Sequence, residues 1–327
     1  MMSGELLITS VRPWPSAAEL PAVDVLCVAG RIDQIGVGLS APPGTPVVDG
    51  GGGVLLPSFV DAHARLDALR PGTTMARAHI PLGAMDEALA QRERLLGRVE
   101  VQLVAVSLTG AITGMDALDA ALEAGADLVG GIDPARVDRD PVRHLDVVFG
   151  LADKHQCGID IQLDDPGELG AFEIELICAR TSALDLRGRV AITHATALST
   201  VDPDRQDELI DRLAESDVAV IATKPLPLRK LRWGGVRVGI GGCDLWDLAE
   251  AEGYTAAPMI EMCADTATRG GAAVLGERDH GLVEGDRAEF VVLPGATVAE
   301  VIRDRREPTV VVHQGKVVQP LSGRGPS

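Results

Sequence analysis

Short apolar runs recur through the middle of the chain, and segments with helical spacing of apolar residues separate most of them. This alternation is typical of repeated βαβ units, which build a parallel sheet. We count eight such runs, a number that closes a (β/α)8 barrel. The predicted barrel strands are residues 57–63, 76–80, 99–107, 128–132, 158–163, 190–194, 218–223 and 236–241.

Helical periodicity predicts the elements that connect these strands. Apolar residues follow a spacing of about 3.6 in several segments, which argues for amphipathic helices. The predicted helices are 85–96, 115–124, 141–155, 203–215 and a closing helix within 256–275. Asp140-Pro141 and Asp202-Pro203 each supply an N-cap followed by a proline, so we expect two helices to begin there. The segment between the first two strands and the segment 226–235 after the seventh strand are short connections between parallel strands. They predict a low rim around the barrel mouth at those positions.

Both ends of the chain predict a second, smaller domain. β-rich runs occur in residues 5–35, and strands joined by a hairpin-like turn are predicted in 285–294 and 308–318. Residues 47–50 and the glycines that follow predict a turn. The predicted fold class is therefore α/β, a TIM barrel with a small β-sandwich domain formed by the N- and C-terminal segments. The predicted domains are a sandwich of 1–55 and 284–320, a barrel of 56–283 and a disordered tail of 321–327.

Composition narrows the classes of partner. The formal net charge is −18 and Lys and Arg form no runs, so we expect neither nucleic acid nor membrane as a partner. Five widely spaced cysteines without a CxxC pair indicate a reducing compartment. No apolar run of 18 residues and no signal-peptide pattern occur, which predicts a cytoplasmic protein. We expect a small-molecule ligand, and the sequence leaves open whether the protein forms a homo-oligomer.

Polar residues at the ends of the predicted strands carry a family resemblance. The motifs are residues 57–67 on the first strand, Arg77-Ala78-His79 on the second, 159–165 on the fifth, 193–195 on the sixth and 241–247 after the eighth. In order and spacing they resemble the amidohydrolase superfamily, and within it the cytosine deaminase branch. The resemblance extends over nearly the whole chain. It implies a barrel enzyme that hydrolyses C–N bonds other than peptide bonds.

The resemblance also implies a metal site, from which this sequence departs. The relatives bind one zinc or iron ion through two histidines of the first strand, a histidine of the fifth and an aspartate after the eighth. Those positions carry His63, Arg65, Gln162 and Cys243 here. Arg65 keeps its charge and offers no lone pair. We therefore predict a degenerate metal site and no cofactor, with a rebuilt site of His63, His194 and Cys243 as the alternative.

The proton-handling positions of the family are better retained. By the resemblance, Asp165 aligns with the acid that shuttles a proton, and His194 aligns with the histidine that steers the attacking water. Arg65 would then act as an electrophile or anion binder in place of the metal. The substrate-binding candidates around them are His63, Gln162, Cys243, Asp244, Lys224 and Trp246.

Structural roles are the alternatives for the same residues. His63 and His79 could be hydrogen-bonded core residues, Cys243 an inert small residue, Lys224 a solvated side chain and Trp246 part of the rim packing. Arg65 could fill the vacated site by pairing with one of the nearby carboxylates, which are Asp164, Asp165 and Asp244. A non-catalytic small-molecule-binding or partner subunit is therefore the alternative to an enzyme. Cytosine deamination by a rebuilt site is a third hypothesis.

Overall fold

A computed structural model describes residues 5–15 and 21–318 of the chain, so the predicted tail at 321–327 lies outside the described residues. Two sheets make up the fold, one of eight parallel strands and one mixed sheet. The strands are β1 (Leu6–Pro13), β2 (Val23–Val28), β3 (Arg31–Gly36), β4 (Val47–Pro57), β5 (Phe59–Asp61), β6 (Thr73–Pro81), β7 (Glu100–Val106), β8 (Leu128–Ile132), β9 (Gly158–Gln162), β10 (Val190–Thr193), β11 (Val218–Ala222), β12 (Val238–Ile240), β13 (Phe290–Leu293), β14 (Val310–His313) and β15 (Lys316–Val318).

The eight strands β5–β12 form the barrel in consecutive order, which confirms the predicted α/β barrel. The first and last strands meet where Ala62 N donates to Ile240 O at 3.1 Å. Apolar side chains such as Leu103, Val129 and Ile161 are fully buried on these strands. Because all eight strands run in one direction, their carboxyl ends open on one face, where barrel enzymes place their active sites.

The second sheet takes strands from both ends of the chain, in the order β15-β14-β13-β4-β1-β2-β3. Its strands form one continuous hydrogen-bonded sheet of seven, in which β1 and β4 are parallel. Ile8, Val25, Leu55 and Phe290 are fully buried on it and form a core of their own. This small terminal sheet is therefore held together by the same apolar burial that drives the barrel.

The predicted turn at 47–50 is wrong, because β4 runs through it as an eleven-residue strand. The glycines have a structural reason there. A Cβ at Gly50 would lie 2.2 Å from Val11 Cγ1, and Gly51 and Gly52 have φ values of 61° and 71°. The register between β1 and β4 shifts at this point, so the glycine run accommodates a bulge rather than a turn.

Helices cover the barrel, and two of them match the predicted bounds. They are α1 (Met85–Leu95), α2 (Ala111–Glu123), α3 (Pro134–Val137), α4 (Pro141–His155), α5 (Gly167–Ala183), α6 (Pro203–Glu215), α7 (Leu228–Trp233), α8 (Leu245–Ala251), α9 (Ala257–Asp265), α10 (Gly271–Leu275) and α11 (Val298–Arg303). Asp140 and Asp202 cap α4 and α6 by accepting from backbone N–H groups, as predicted. The prediction missed α5, whose apolar residues are not confined to one face. Across the described residues, none of the helices has both the length and the apolarity that crossing a membrane requires.

Candidate active site

An open cavity of about 530 Å³ lies at the carboxyl ends of the barrel strands. Its walls include Asp61, His63, Arg70, His79 and Gln162. The carboxylate of Asp61 ties the two edges of the barrel together, since its Oδ1 accepts from His63 N at 3.2 Å and from Gly242 N at 2.9 Å. Asp61 therefore closes the barrel between its first and last strands at the mouth, the open end of the barrel where this cavity lies.

His63 stands between two other imidazoles at this mouth. Its Nδ1 lies 3.0 Å from His79 Nδ1, and its ring centroid lies 5.2 Å from that of His194 in an edge-on arrangement. Burial lowers the pKa of His63 to about 4, and the charge of His79 adds to this effect. His63 is therefore neutral at physiological pH, and its Nδ1 is already committed to a protein partner.

His194 follows β10 with a left-handed backbone, φ 75°, which turns it towards the next loop. Its Nδ1 lies 2.6 Å from Thr223 Oγ1, and its Nε2 lies 3.9 Å from Asp164 Oδ2. Burial lowers the pKa of His194, so its imidazole is predominantly neutral at pH 7. Neutral imidazole with one oriented nitrogen is the form that can accept a proton from water.

Asp164 is the carboxylate that lies beside this histidine. It forms an ion pair with Lys224 and accepts from Thr196 Oγ1 at 2.9 Å. Burial opposes its ionisation, but the hydrogen bonds from Lys224 and Thr196 hold the pKa of Asp164 below its usual range. Its backbone N–H donates to Asp133 Oδ1 at 2.6 Å, which anchors the loop after β9.

Asp165, predicted as the proton shuttle, is turned towards the base of α5 instead. Its Oδ1 lies 3.9 Å from Arg136 Nε, and it shares a hydrogen bond with Glu173. Asp165 Oδ2 and Glu173 Oε2 are both buried without another partner among the described residues. A proton shared by the two carboxyls satisfies both oxygens. The structure therefore brings Asp164, not its neighbour, to His194.

Arg65 does not occupy the vacated metal position. Its side chain is 77% exposed and pairs with Asp67, whose side chain is 65% exposed, at 2.9 Å. The alternative pairing with Asp164, Asp165 or Asp244 is equally wrong. Arg65 lines the outer part of the cavity with its guanidinium in solvent, so its role as electrophile or anion binder stays a prediction.

We expect the Arg65→Met substitution to change little. Exposed ion pairs contribute little to stability, so the denaturation midpoint of this variant should equal that of the parent protein within experimental error. Chemical denaturation measures this directly. A loss of several kcal/mol would show that the guanidinium is buried in solution.

The remaining predicted residues divide between the mouth and its outer rim. Gln162, Cys243 and Asp244 line the cavity, and Asp244 also caps α8 by accepting from Trp246 N at 2.9 Å. The ring of Trp246 packs under Arg303, with 5.7 Å from the guanidinium carbon to the ring centroid. Trp246 therefore packs at a cleft beside the mouth, while Asp244 lies between that cleft and the cavity.

The side chains at two of the four expected ligand positions are poorly suited to a divalent ion, because Arg65 offers no lone pair and Gln162 offers only a neutral amide oxygen. Burial raises the pKa of the Cys243 thiol to about 11, which disfavours the thiolate form that zinc binds. Within residues 5–15 and 21–318, the His, Cys, Asp and Glu atoms that converge within 4.8 Å are those of Glu100, Glu289 and His313, beside the terminal sheet. There Arg287 pairs with both glutamates and supplies the positive charge.

Sequence reasoning missed three inward-facing residues below the mouth. Asp160 and Thr193 are fully buried and Arg77 is 4% exposed, all on barrel strands. Arg77 Nη1 lies 3.0 Å from Asp160 Oδ2, and Thr193 Oγ1 donates to Asp160 Oδ1 at 2.7 Å. The period of two along a strand places Asp160 on the same side as Gln162, and this signal could have identified it.

The chain is similar to known hydrolases. The crystal structure of N-isopropylammelide isopropylaminohydrolase from Burkholderia multivorans superposes with a TM-score of 0.89, at 30% identity over 96% of this chain and 98% of that one. A 5-methylcytosine deaminase from Klebsiella pneumoniae gives a TM-score of 0.84 at 18% identity, covering 98% and 99% of the two chains. N-isopropylammelide isopropyl amidohydrolase of Pseudomonas sp. (strain ADP) is 26% identical over 287 residues, 78% of this chain and 71% of its own. No family model matches the chain.

Proposed function

The chain belongs to the amidohydrolase superfamily, and on that premise we propose that it hydrolyses a C–N bond in a small polar cyclic amide or amidine. The similar proteins of known activity are hydrolases that act on C–N bonds. Their named substrates are heterocycles, which motivates the cyclic substrate class proposed for this chain. The cavity, about 530 Å³, has the size expected for such a ligand.

The observation that carries the proposal is the cluster of His194, Asp164 and Lys224 at the mouth. The neutral imidazole of His194 accepts a proton from water while the water oxygen bonds to the carbon of the C–N group. The C–N bond then breaks, its electron pair stays on nitrogen, and the departing nitrogen takes up the proton. Asp164, 3.9 Å from His194 Nε2 and kept ionised by Lys224, stabilises the imidazolium that forms between the two steps.

The proposal contains no step through a metal, and its support is that Arg65 and Gln162 stand at two of the four expected ligand positions. We expect elemental analysis of the purified protein to return far less than one equivalent of zinc or iron. A chelator should leave turnover unchanged. One tightly bound equivalent, together with loss of turnover on chelation, would overturn this part of the proposal.

The test is hydrolysis measured over a panel of aminopyrimidines, aminotriazines and lactams. We expect His194→Gln and Asp164→Asn each to lower kcat on the order of a hundredfold, which is the usual contribution of a positioned acid or base. Asp67→Asn is the matched control, because it removes a carboxylate from the exposed rim. Equal rates for the parent and the His194 variant would contradict the proposal.

The alternative is a non-catalytic subunit that binds a small molecule or a partner protein. The observations in its favour are that Asp165 is turned away from the cavity and that Cys243 stays protonated. Such a protein would show ligand-dependent increases in Tm with members of the same panel but no turnover. Turnover that depends on His194 excludes it.

A further inference from the structure

The short connection between β5 and β6 places a cation in the wall of the cavity. Leu69 in this connection is 5% exposed and packs into the core, and Gly72 ends it with a φ of 87°. A Cβ at Gly72 would lie 2.9 Å from Pro308 Cγ, so the connection is packed tightly at this end. Arg70 stands between these two anchored residues, which fixes the position of its backbone.

The guanidinium of Arg70 uses few of its donors within the protein. Its side chain is 30% exposed and lines the cavity. Nη1 donates to the backbone carbonyl of Cys243, whereas Nη2 lies 3.9 Å from Asp61 Oδ2, which is beyond hydrogen-bond distance. In the part of the chain that the structure describes, no group accepts a hydrogen bond from Nε or Nη2. Since a guanidinium carries five N–H donors, most donors of Arg70 remain available to a ligand.

The carboxylates that line the same cavity are engaged by other groups. Asp61 is 4% exposed, and its Oδ1 accepts from two backbone N–H groups. Asp244 accepts from two N–H groups of α8, and its Oδ1 lies 3.7 Å from Arg305 Nη1. Neither carboxylate forms a hydrogen bond with Arg70. The half-buried wall therefore holds a charged group whose donors an anionic ligand would satisfy.

We propose that Arg70 binds a carboxylate carried by the substrate, which makes the substrate a cyclic amide or amidine with an acidic substituent. This inference rests on the proposed hydrolytic function and names the substrate class of that site. The two oxygens of a carboxylate match the planar fork of a guanidinium, whereas a neutral ring carbonyl accepts a weaker hydrogen bond. Arg65, the anion binder predicted from the sequence, is 77% exposed and paired with Asp67, so Arg70 is the better placed cation.

The test is isothermal titration calorimetry with orotate and uracil, which share one ring and differ by a carboxylate. The parent protein should bind orotate more tightly than uracil. Arg70→Met should weaken orotate binding roughly 10- to 100-fold, the usual contribution of a hydrogen bond to a charged group, and leave uracil binding unchanged. Arg70→Lys keeps the charge without the fork, so its affinity for orotate should lie between the two. Equal affinities of the parent for both ligands would overturn the inference.

Other cations near the mouth provide the rival positions for the carboxylate. Arg70 also lines the cleft beside the mouth, together with Arg305. Arg305→Met and Arg65→Met should each leave orotate binding unchanged. Lys154→Met removes the same charge from the last turn of α4 and controls for the overall charge of the protein. A loss in any of these variants equal to that of Arg70→Met would overturn the inference, because the carboxylate would then not be held by Arg70 in the cavity.

A crystal structure of the parent protein with orotate gives a test that needs no variant to fold. The carboxylate should lie within about 3.2 Å of the guanidinium nitrogens of Arg70. A carboxylate bound elsewhere would overturn the inference. Kinetics separate this inference from the proposed hydrolysis, since Arg70→Met should raise KM for a carboxylated substrate far more than it lowers kcat. Binding of orotate that depends on Arg70, without turnover of any compound tested, would support the site and count against the proposed hydrolysis.

Discussion

Arg77→Met should lower the free energy of unfolding by about 3–5 kcal/mol, because it leaves the carboxylate of Asp160 buried without its cation. The two side chains are 5% and 0% exposed and lie 3.0 Å apart in the barrel interior. Arg77 also donates to Gln102 Oε1 and to the carbonyl of Val274, so its removal leaves these two acceptors without their hydrogen bonds. Urea denaturation monitored by circular dichroism measures the change.

Two comparisons make this result specific. Arg65→Met removes the same charge from an exposed pair and should leave the denaturation midpoint unchanged within experimental error. Adding Asp160→Asn to Arg77→Met should recover part of the loss, because an amide no longer leaves an unpaired charge in the interior. A decrease below 1 kcal/mol for Arg77→Met would show that water reaches Asp160.

Glu173→Gln should stabilise the protein at pH 8 and leave its stability at pH 4.5 nearly unchanged. Burial, together with the charge and hydrogen bond of Asp165, raises the pKa of Glu173 to about 7 from a usual value of 4.5. A carboxyl whose pKa is raised by folding contributes stability that is complete below its unfolded pKa and is lost as pH rises through its folded pKa. The loss between pH 4.5 and 8 amounts to up to about 3 kcal/mol.

Glutamine imitates the protonated carboxyl at every pH, since it can donate to Asp165 and accept from Ala135 N. The difference in Tm between Glu173→Gln and the parent should therefore grow as pH increases from 5 to 8. Glu168→Gln is the control on the same helix, because its side chain is 72% exposed and should show no such trend. A constant difference across the pH range would mean that Glu173 does not change its protonation state between pH 5 and 8, which would contradict the raised pKa.

The local sequence pattern was sufficient to predict the barrel scaffold and part of the candidate site. All eight barrel strands, the capped starts of α4 and α6, and the position of His194 at a strand end follow from apolar periodicity and short capping motifs. The bulged strand β4 could not be predicted in this way, because its glycines indicate a turn unless the neighbouring strand β1 is known. The helix α5 was also not predictable from periodicity, since it is apolar on more than one face.

The sequence alone determined that this chain forms a barrel with polar residues at the ends of its strands. Only the tertiary structure decided that Asp164 rather than Asp165 faces His194, and that Arg65 points into solvent. Adjacent residues in a loop are equivalent in pattern, so their directions depend on the neighbours that each side chain meets. Asp165 contacts Glu173 on the following helix α5, whereas Asp164 pairs with Lys224 after β11, a partner that the local sequence does not indicate.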